Sequence, residues 1–68
     1  MDLRELRMTA GLTQQSLADA LLVRQSAVAN WEKGLSKPLR KYWPRMALEL
    51  RCTVETLEQA LEETVGQC

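Results

Sequence analysis

The sequence has no histidine, only three glycines and two prolines, and only two cysteines. Without histidine, the chain lacks the commonest general base and the commonest metal ligand. It also has no glycine-rich phosphate loop, and no serine or cysteine lies beside an obvious base. We therefore predict that the protein is not an enzyme and has no catalytic residue, metal site or cofactor.

The two cysteines, Cys52 and Cys68, lie far apart in the sequence. They form no Cys-x-x-Cys pair and no grouping with other metal ligands, which argues against a redox or zinc motif. We interpret Cys52 as a small buried side chain and Cys68 as a loose terminal thiol.

Long apolar runs are also missing. No apolar segment approaches the roughly 18–20 residues of a membrane-spanning helix, and the first residues, MDLRELRM, carry charges where a signal peptide needs an apolar stretch. A chain of 68 residues has room for one domain. We expect a single domain over residues 1–68, located in the cytoplasm and without a membrane partner.

Charge is balanced in total but unevenly distributed along the chain. Residues 1–23 carry a net charge of −1, residues 24–51 carry +5 and residues 52–68 carry −4. This distribution bears on possible partners more than the zero sum does, because a clustered basic segment attracts phosphates. We predict a polarised molecule with a basic middle and an acidic end; a charged face that serves only solubility is the alternative.

Apolar residues recur at three- and four-residue spacing, which predicts helices. Helix-start signals occur at Asp2 (with Glu5 completing a capping box), at Thr13, at Pro44 in a first turn and at Thr53. No useful period-two alternation and no internal repeat occurs. The predicted fold is all-α, with five short helices, the last over about residues 54–65.

Residues 14–33 fit the helix-turn-helix plan, in which two helices are joined by a few residues. Ala18 is the small residue that lets the second helix cross close above the first. The third helix of the chain should run from about Gln25 to Lys33, with Gly34 ending it. The predicted shared core comprises Leu17, Leu21, Val23, Val28 and Trp31.

The outward face of this third helix differs from that of an ordinary solvated helix. Solvated faces are rich in Glu and Lys at four-residue spacing, whereas this face carries Gln25, Ser26 and Asn30. Their neutral groups both donate and accept hydrogen bonds and favour a helix only weakly. We therefore predict that the face contacts another molecule.

Two segments, LRELRMTAGLTQQSLADALLVRQSAVANWEKG and WPRMALELRCTVETLEQAL, resemble the phage repressor and Cro type of helix-turn-helix DNA-binding domain. The resemblance runs from Leu3 to about Leu61 and is most specific in GLTQQSLA and NWEKG. It implies a compact, lambda-repressor-like bundle of five helices. It also implies a sequence-specific transcriptional regulator that places its third helix in the major groove of double-stranded DNA.

The resemblance further implies roles for two sets of residues. Base contacts are implied for Gln25, Ser26, Ala29 and Asn30. Phosphate contacts are implied for Gln14, Gln15, Lys33, Lys37, Arg40 and Lys41. Elementary chemistry is consistent with both sets, because Gln and Asn can pair with N6 and N7 of adenine, and helix N-termini and cations attract phosphate. The alternative is that these residues form a polar surface with no binding role.

The resemblance also matches Arg7 and Glu32 to an ion pair between the first and third helices. We interpret this pair as scaffold, not as part of the binding site. An exposed pair would contribute only about 0–1 kcal/mol, so a structural role requires partial burial. The spacing of Trp31 predicts a core position, whereas Tyr42 and Trp43 are open between packing and, for Tyr42, a phosphate contact.

The sequence departs from the family pattern at two positions. Leu22 lies at a turn position where the family usually has Gly. If residue 22 keeps a positive φ, leucine there costs about 1–2 kcal/mol; otherwise the turn is remodelled and the third helix tilts. Arg24 replaces the usual Ser or Thr N-cap, which predicts a poorer cap.

A single short helix offers few contacts, and family members pair so that two recognition helices meet half-sites about 34 Å apart. We therefore expect a homodimer that acts as a small Cro-like repressor on a two-fold-related operator. The apolar stripe Leu57, Leu61 and Val65 could form the dimer contact or belong to the protomer's own core. The alternative function is a protein-interaction module of the same fold, an antitoxin or anti-repressor partner that binds through its acidic C-terminal helix.

Overall fold

The computed structural model describes residues 1–66, with residues 65 and 66 as backbone only. This part of the chain contains five α-helices, one 3-10 turn and no strand, so the all-α prediction is confirmed. The predicted thiol of Cys68 lies outside the described residues. The helices are α1 (Leu3–Thr9), α2 (Gln14–Leu21), α3 (Gln25–Glu32), α4 (Trp43–Glu49) and α5 (Val54–Gly66), with the 3-10 turn at Arg40–Tyr42.

The helix starts follow from local capping chemistry. Asp2 accepts the backbone N–H of Glu5 at 2.9 Å, and the carboxylate of Glu5 accepts the backbone N–H of Asp2 at 3.0 Å, which completes the predicted capping box. The hydroxyl oxygens of Thr13 and Thr53 each accept a backbone N–H from three residues further on. Pro44 lies in the first turn of α4, where its missing N–H leaves no helical bond unmade.

All five α-helices of the described residues contribute buried side chains to one core. Ala18, on α2, is completely buried. The buried apolar residues are Leu3, Leu6, Leu17, Ala18, Leu21, Val28, Trp31, Trp43, Met46, Ala47, Leu50, Leu57, Ala60 and Leu61.

Each helix of the described residues is too short or too polar to span a membrane.

The end of α5 contacts the start of α1. The buried hydroxyl of Thr64 accepts the backbone N–H of Leu3 at 3.0 Å and donates to the carbonyl of Ala60 at 2.8 Å. Beside it, the amino group of Met1 pairs with the carboxylate of Glu63 at 3.1 Å, and this hydrogen bond raises the pKa of the amino group. Thr64 was not among the predicted core or site residues.

The apolar stripe of α5 faces the protomer's own core. Leu57 is fully buried and Leu61 is 3% exposed, so neither side chain is available for a dimer contact in this fold. Of the two alternatives for this stripe, core packing is therefore the one observed for both leucines. The side chain of Val65 lies outside the described residues.

The turn between α2 and α3 keeps a left-handed backbone. Leu22 has φ 59° and ψ 40°, and its side chain is 92% exposed. The turn is thus not remodelled, although it holds leucine where glycine is easier. Arg51, after α4, is the other non-glycine residue with positive φ among the described residues.

Replacing Leu22 with glycine should raise the free energy of unfolding by about 0.5–1 kcal/mol. Relief of the left-handed strain, about 1–2 kcal/mol, exceeds the extra entropy that glycine loses on folding. Thermal unfolding followed by circular dichroism measures the change. Leu22→Ala is the matched control, since it removes the exposed side chain but keeps the strained Cβ, and it should give little gain. Equal gains in both variants would contradict backbone strain as the cause.

Candidate nucleic-acid interface

One face of α3 presents the residues predicted to read bases. Gln25, Ser26 and Asn30 are exposed, and Ala29 is half-buried among them. Their positions along the helix place them on the side opposite Val28 and Trp31, which are buried. The structure therefore brings the four predicted residues together on a surface open to solvent, where the two amides are accessible.

The start of α3 is open as well. Arg24 occupies the N-cap position and makes no side-chain capping hydrogen bond, as predicted, and the first turn contains no acidic residue. Backbone N–H groups at a helix start that no side chain caps favour an anion, both through hydrogen bonds and through the helix dipole. A phosphate is therefore electrostatically favoured beside Gln25.

Hydrogen bonds connect the first residues of α2 and α3. The Nε2 atom of Gln25 donates to Oε1 of Gln14 at 3.2 Å. In turn, Nε2 of Gln14 donates to Oε1 of Glu32 at 3.1 Å. The predicted phosphate-contacting residue and the predicted base-reading residue therefore lie side by side, and both are connected to the end of α3.

Arg7 and Glu32 form the expected ion pair between α1 and α3. The Nε and Nη2 atoms of Arg7 donate to the two carboxylate oxygens of Glu32, and Nη1 donates to the carbonyl of Leu12 at 2.8 Å. The two side chains are 11% and 5% exposed, so the partial burial that a structural role requires is present. Glu32 also accepts a hydrogen bond from Nε2 of Gln14, so this buried pair lies beside a predicted phosphate-contacting residue.

The predicted phosphate-contacting cations follow α3 and are all exposed: Lys33, Lys37, Arg40 and Lys41. The guanidinium carbon of Arg40 lies 4.7 Å from the ring centroid of Trp43, and the ammonium of Lys41 lies 5.3 Å from that of Tyr42. Such cation–π contacts attract a cation to the face of the ring without neutralising it. The 3-10 turn at Arg40–Tyr42 thus presents two exposed positive charges beside aromatic rings.

The aromatic residues of this turn are packed. Trp43 is buried and its indole N–H donates to the carbonyl of Pro38 at 3.1 Å. Tyr42 is half-buried, with its ring centroid 6.3 Å from that of Trp31. Packing is therefore what the structure shows for Tyr42 and Trp43, and Trp31 lies in the core as predicted. The 3-10 turn at Arg40–Tyr42 was not among the predicted elements.

Two further side chains, those of Gln15 and Cys52, are less suited to binding or reaction. Gln15 is exposed but donates to the carboxylate of Asp19 at 2.8 Å, one turn further along α2. Cys52 is half-buried, and burial raises the pKa of its thiol, which disfavours the reactive thiolate. Among the described residues, no three acidic or cysteine side chains group closely enough to hold a metal ion.

The chain matches a family model described as helix-turn-helix over residues 3–57. The match begins at the first residue of α1 and ends in the first turn of α5. It therefore includes α2, α3 and the segment between α3 and α4 that carries the predicted phosphate-contacting cations. No curated protein and no solved structure showed significant similarity to the chain.

Proposed function

Because this chain belongs to the Cro/C1-type helix-turn-helix family, whose members are DNA-binding regulators and typically not enzymes, we propose that it is a small Cro-like repressor. It would bind a two-fold-related operator in the cytoplasm. The observation that carries this proposal is the exposed neutral face of α3 within the matched segment. Neutral groups that both donate and accept hydrogen bonds match the donors and acceptors on base edges.

In the proposed complex, α3 lies in the major groove and its exposed amides read bases. Gln25 and Asn30 would each pair with adenine N6 and N7, with about 1–3 kcal/mol of discrimination for each good pair. Ser26 would donate to or accept from a neighbouring base edge. Ala29 is half-buried and short, so it would let the helix backbone approach the bases closely.

Phosphate contacts would position α3 from both sides of the groove. Gln14 and Gln15 lie at the start of α2, and the net charge of +5 over residues 24–51 supports binding of the cations to the DNA backbone. The proposed phosphate-contacting cations are Lys33, Lys37, Arg40 and Lys41. Because cations displace condensed counterions, the affinity should fall steeply with salt.

The operator would be bound by two copies of the chain, so that two α3 helices meet two half-sites. Leu57 and Leu61 are occupied within the protomer core. The proposed homodimer therefore needs a contact surface other than these two leucines.

Changing Gln25 or Asn30 to alanine should cost about 1–3 kcal/mol on the preferred operator and little on random duplex. The preferred operator is first identified by selection from a random DNA pool, and affinities are then measured by electrophoretic titration. Lys37→Ala is the control: it should weaken binding to both DNAs equally and reduce the salt slope by about 1. Unchanged operator preference in both alanine variants would contradict the proposed recognition face.

The acidic face of α5 favours a second candidate function, a protein-interaction module such as an antitoxin or anti-repressor partner. Glu55, Glu58, Gln59 and Glu62 are exposed and lie on one face of this helix, in the segment of net charge −4. Titration against random duplex at two salt concentrations separates the candidates. Absent or salt-independent binding would favour the interaction module over the repressor.

A further inference from the structure

We propose that Glu32 is a positioning residue which, acting through Gln14, fixes the orientation in which the Gln25 amide is presented to a base. This role rests on the proposed function, because it matters only if Gln25 reads DNA. It adds to the base- and phosphate-contacting residues a carboxylate that touches neither bases nor phosphates.

Glu32 offers Gln14 an acceptor and nothing else. An ionised carboxylate has no hydrogen to donate. The Glu32 side chain is 5% exposed and is held by two bonds from Arg7, so the position of its carboxylate is fixed. Only the NH₂ end of the Gln14 amide can bond to it, and this end lies 3.1 Å from Oε1 of Glu32.

The orientation of one amide then determines that of the next. With its NH₂ group bound to Glu32, Gln14 must turn its carbonyl oxygen toward α3. Gln25 responds with its own NH₂ group, at 3.2 Å. One N–H and the carbonyl oxygen of Gln25 remain for a ligand, in a fixed order, which is the donor–acceptor pair that adenine N7 and N6 require.

Removing the carboxylate would remove this directionality. If residue 32 could donate, the Gln14 amide could rotate by half a turn and present its NH₂ group to Gln25. Gln25 would then turn its carbonyl toward Gln14 and present its donor and acceptor in the reverse order. The ion pair itself does not need Gln14, because Arg7 is bonded to Glu32 and to the carbonyl of Leu12.

The test is selection of bound sequences from a random duplex pool, carried out with the full chain and with variants. Gln25→Ala first identifies the base pair that Gln25 reads, as the position whose preference it loses. Glu32→Gln, which keeps the side-chain size but adds donors, should lower the preference at that position by about tenfold. Preferences at the other positions should be unchanged, and affinity for random duplex should be retained once the folded fraction is taken into account.

Arg7→Lys is the matched control for stability. It keeps a positive charge beside Glu32 but loses the forked geometry of arginine, so the melting temperature should fall. The carboxylate still accepts from Gln14, and the selected motif should match that of the wild type. If circular dichroism shows that Glu32→Gln is unfolded, the double variant Arg7→Met/Glu32→Leu replaces it, because it removes the carboxylate without leaving an unpaired charge buried.

Three outcomes would overturn the role of Glu32. Glu32→Gln, or Arg7→Met/Glu32→Leu in its place, could select the wild-type motif with undiminished preference. Arg7→Lys could relax the same position equally, which would show that the effect follows stability. If the wild-type chain selects no motif at all, the proposed function fails and this role fails with it, whereas the first two outcomes leave the proposed function standing.

Discussion

Replacing Arg7 with methionine should lower the free energy of unfolding by about 3–5 kcal/mol, because the carboxylate of Glu32 would be left buried without its cation. Only the single bond from Gln14 would remain to it. A domain of this size has a total stability of roughly 3–10 kcal/mol. The variant should therefore lose a large part of its stability, which urea denaturation followed by circular dichroism would show as a lower midpoint.

The double variant Arg7→Met/Glu32→Leu is the control for this prediction. It removes both charges and replaces them with apolar groups of similar size, so it should recover much of the stability that the single variant loses. A loss below about 1 kcal/mol in Arg7→Met would mean that the pair behaves like an exposed one. The burial of Glu32 would then have no energetic consequence.

Replacing Leu57 with alanine should lower the free energy of unfolding by about 2–5 kcal/mol. The side chain is fully buried, so its removal leaves a cavity in the core of the protomer. The residue belongs to the protomer core, so the difference in melting temperature from the wild type should not depend on protein concentration. Thermal unfolding at a low and at a high concentration measures both quantities.

Val54→Ala is the matched control on the same helix. Its side chain is 38% exposed at the start of α5, so truncation should cost much less than the Leu57 change. A Leu57→Ala deficit that grows with protein concentration would contradict the core position. It would instead place Leu57 at a contact between two copies of the chain.

Local chemistry made the helices predictable. The starts at Asp2 and Thr13 depend on hydrogen bonds within one turn, so residue types three positions apart were sufficient. The packing partner of Leu57 was not predictable in the same way. Apolar periodicity shows that α5 has an apolar face, but whether this face packs on its own chain or on a second copy depends on tertiary geometry.

In the candidate site, too, features set by local spacing were predictable, whereas features set by tertiary contacts were not. The outward position of Gln25 and Asn30 follows from helical spacing relative to Val28 and was predictable. The bond from Gln14 to Glu32 depends on how the start of α2 lies against the end of α3, which sequence spacing does not specify. The contact of Arg40 with an aromatic ring likewise depends on a 3-10 turn that has no strong sequence signal.

The bond between Thr64 and the backbone N–H of Leu3 joins residues 61 positions apart, and Thr64 lies beyond residue 57, where the family match ends. A fragment that ends at residue 57 would lose this acceptor and would uncover the side of α1 that packs against α5. We therefore expect α1 to dock fully only after the last turns of α5 have left the ribosome, so that a segment beyond the family match stabilises the helix-turn-helix.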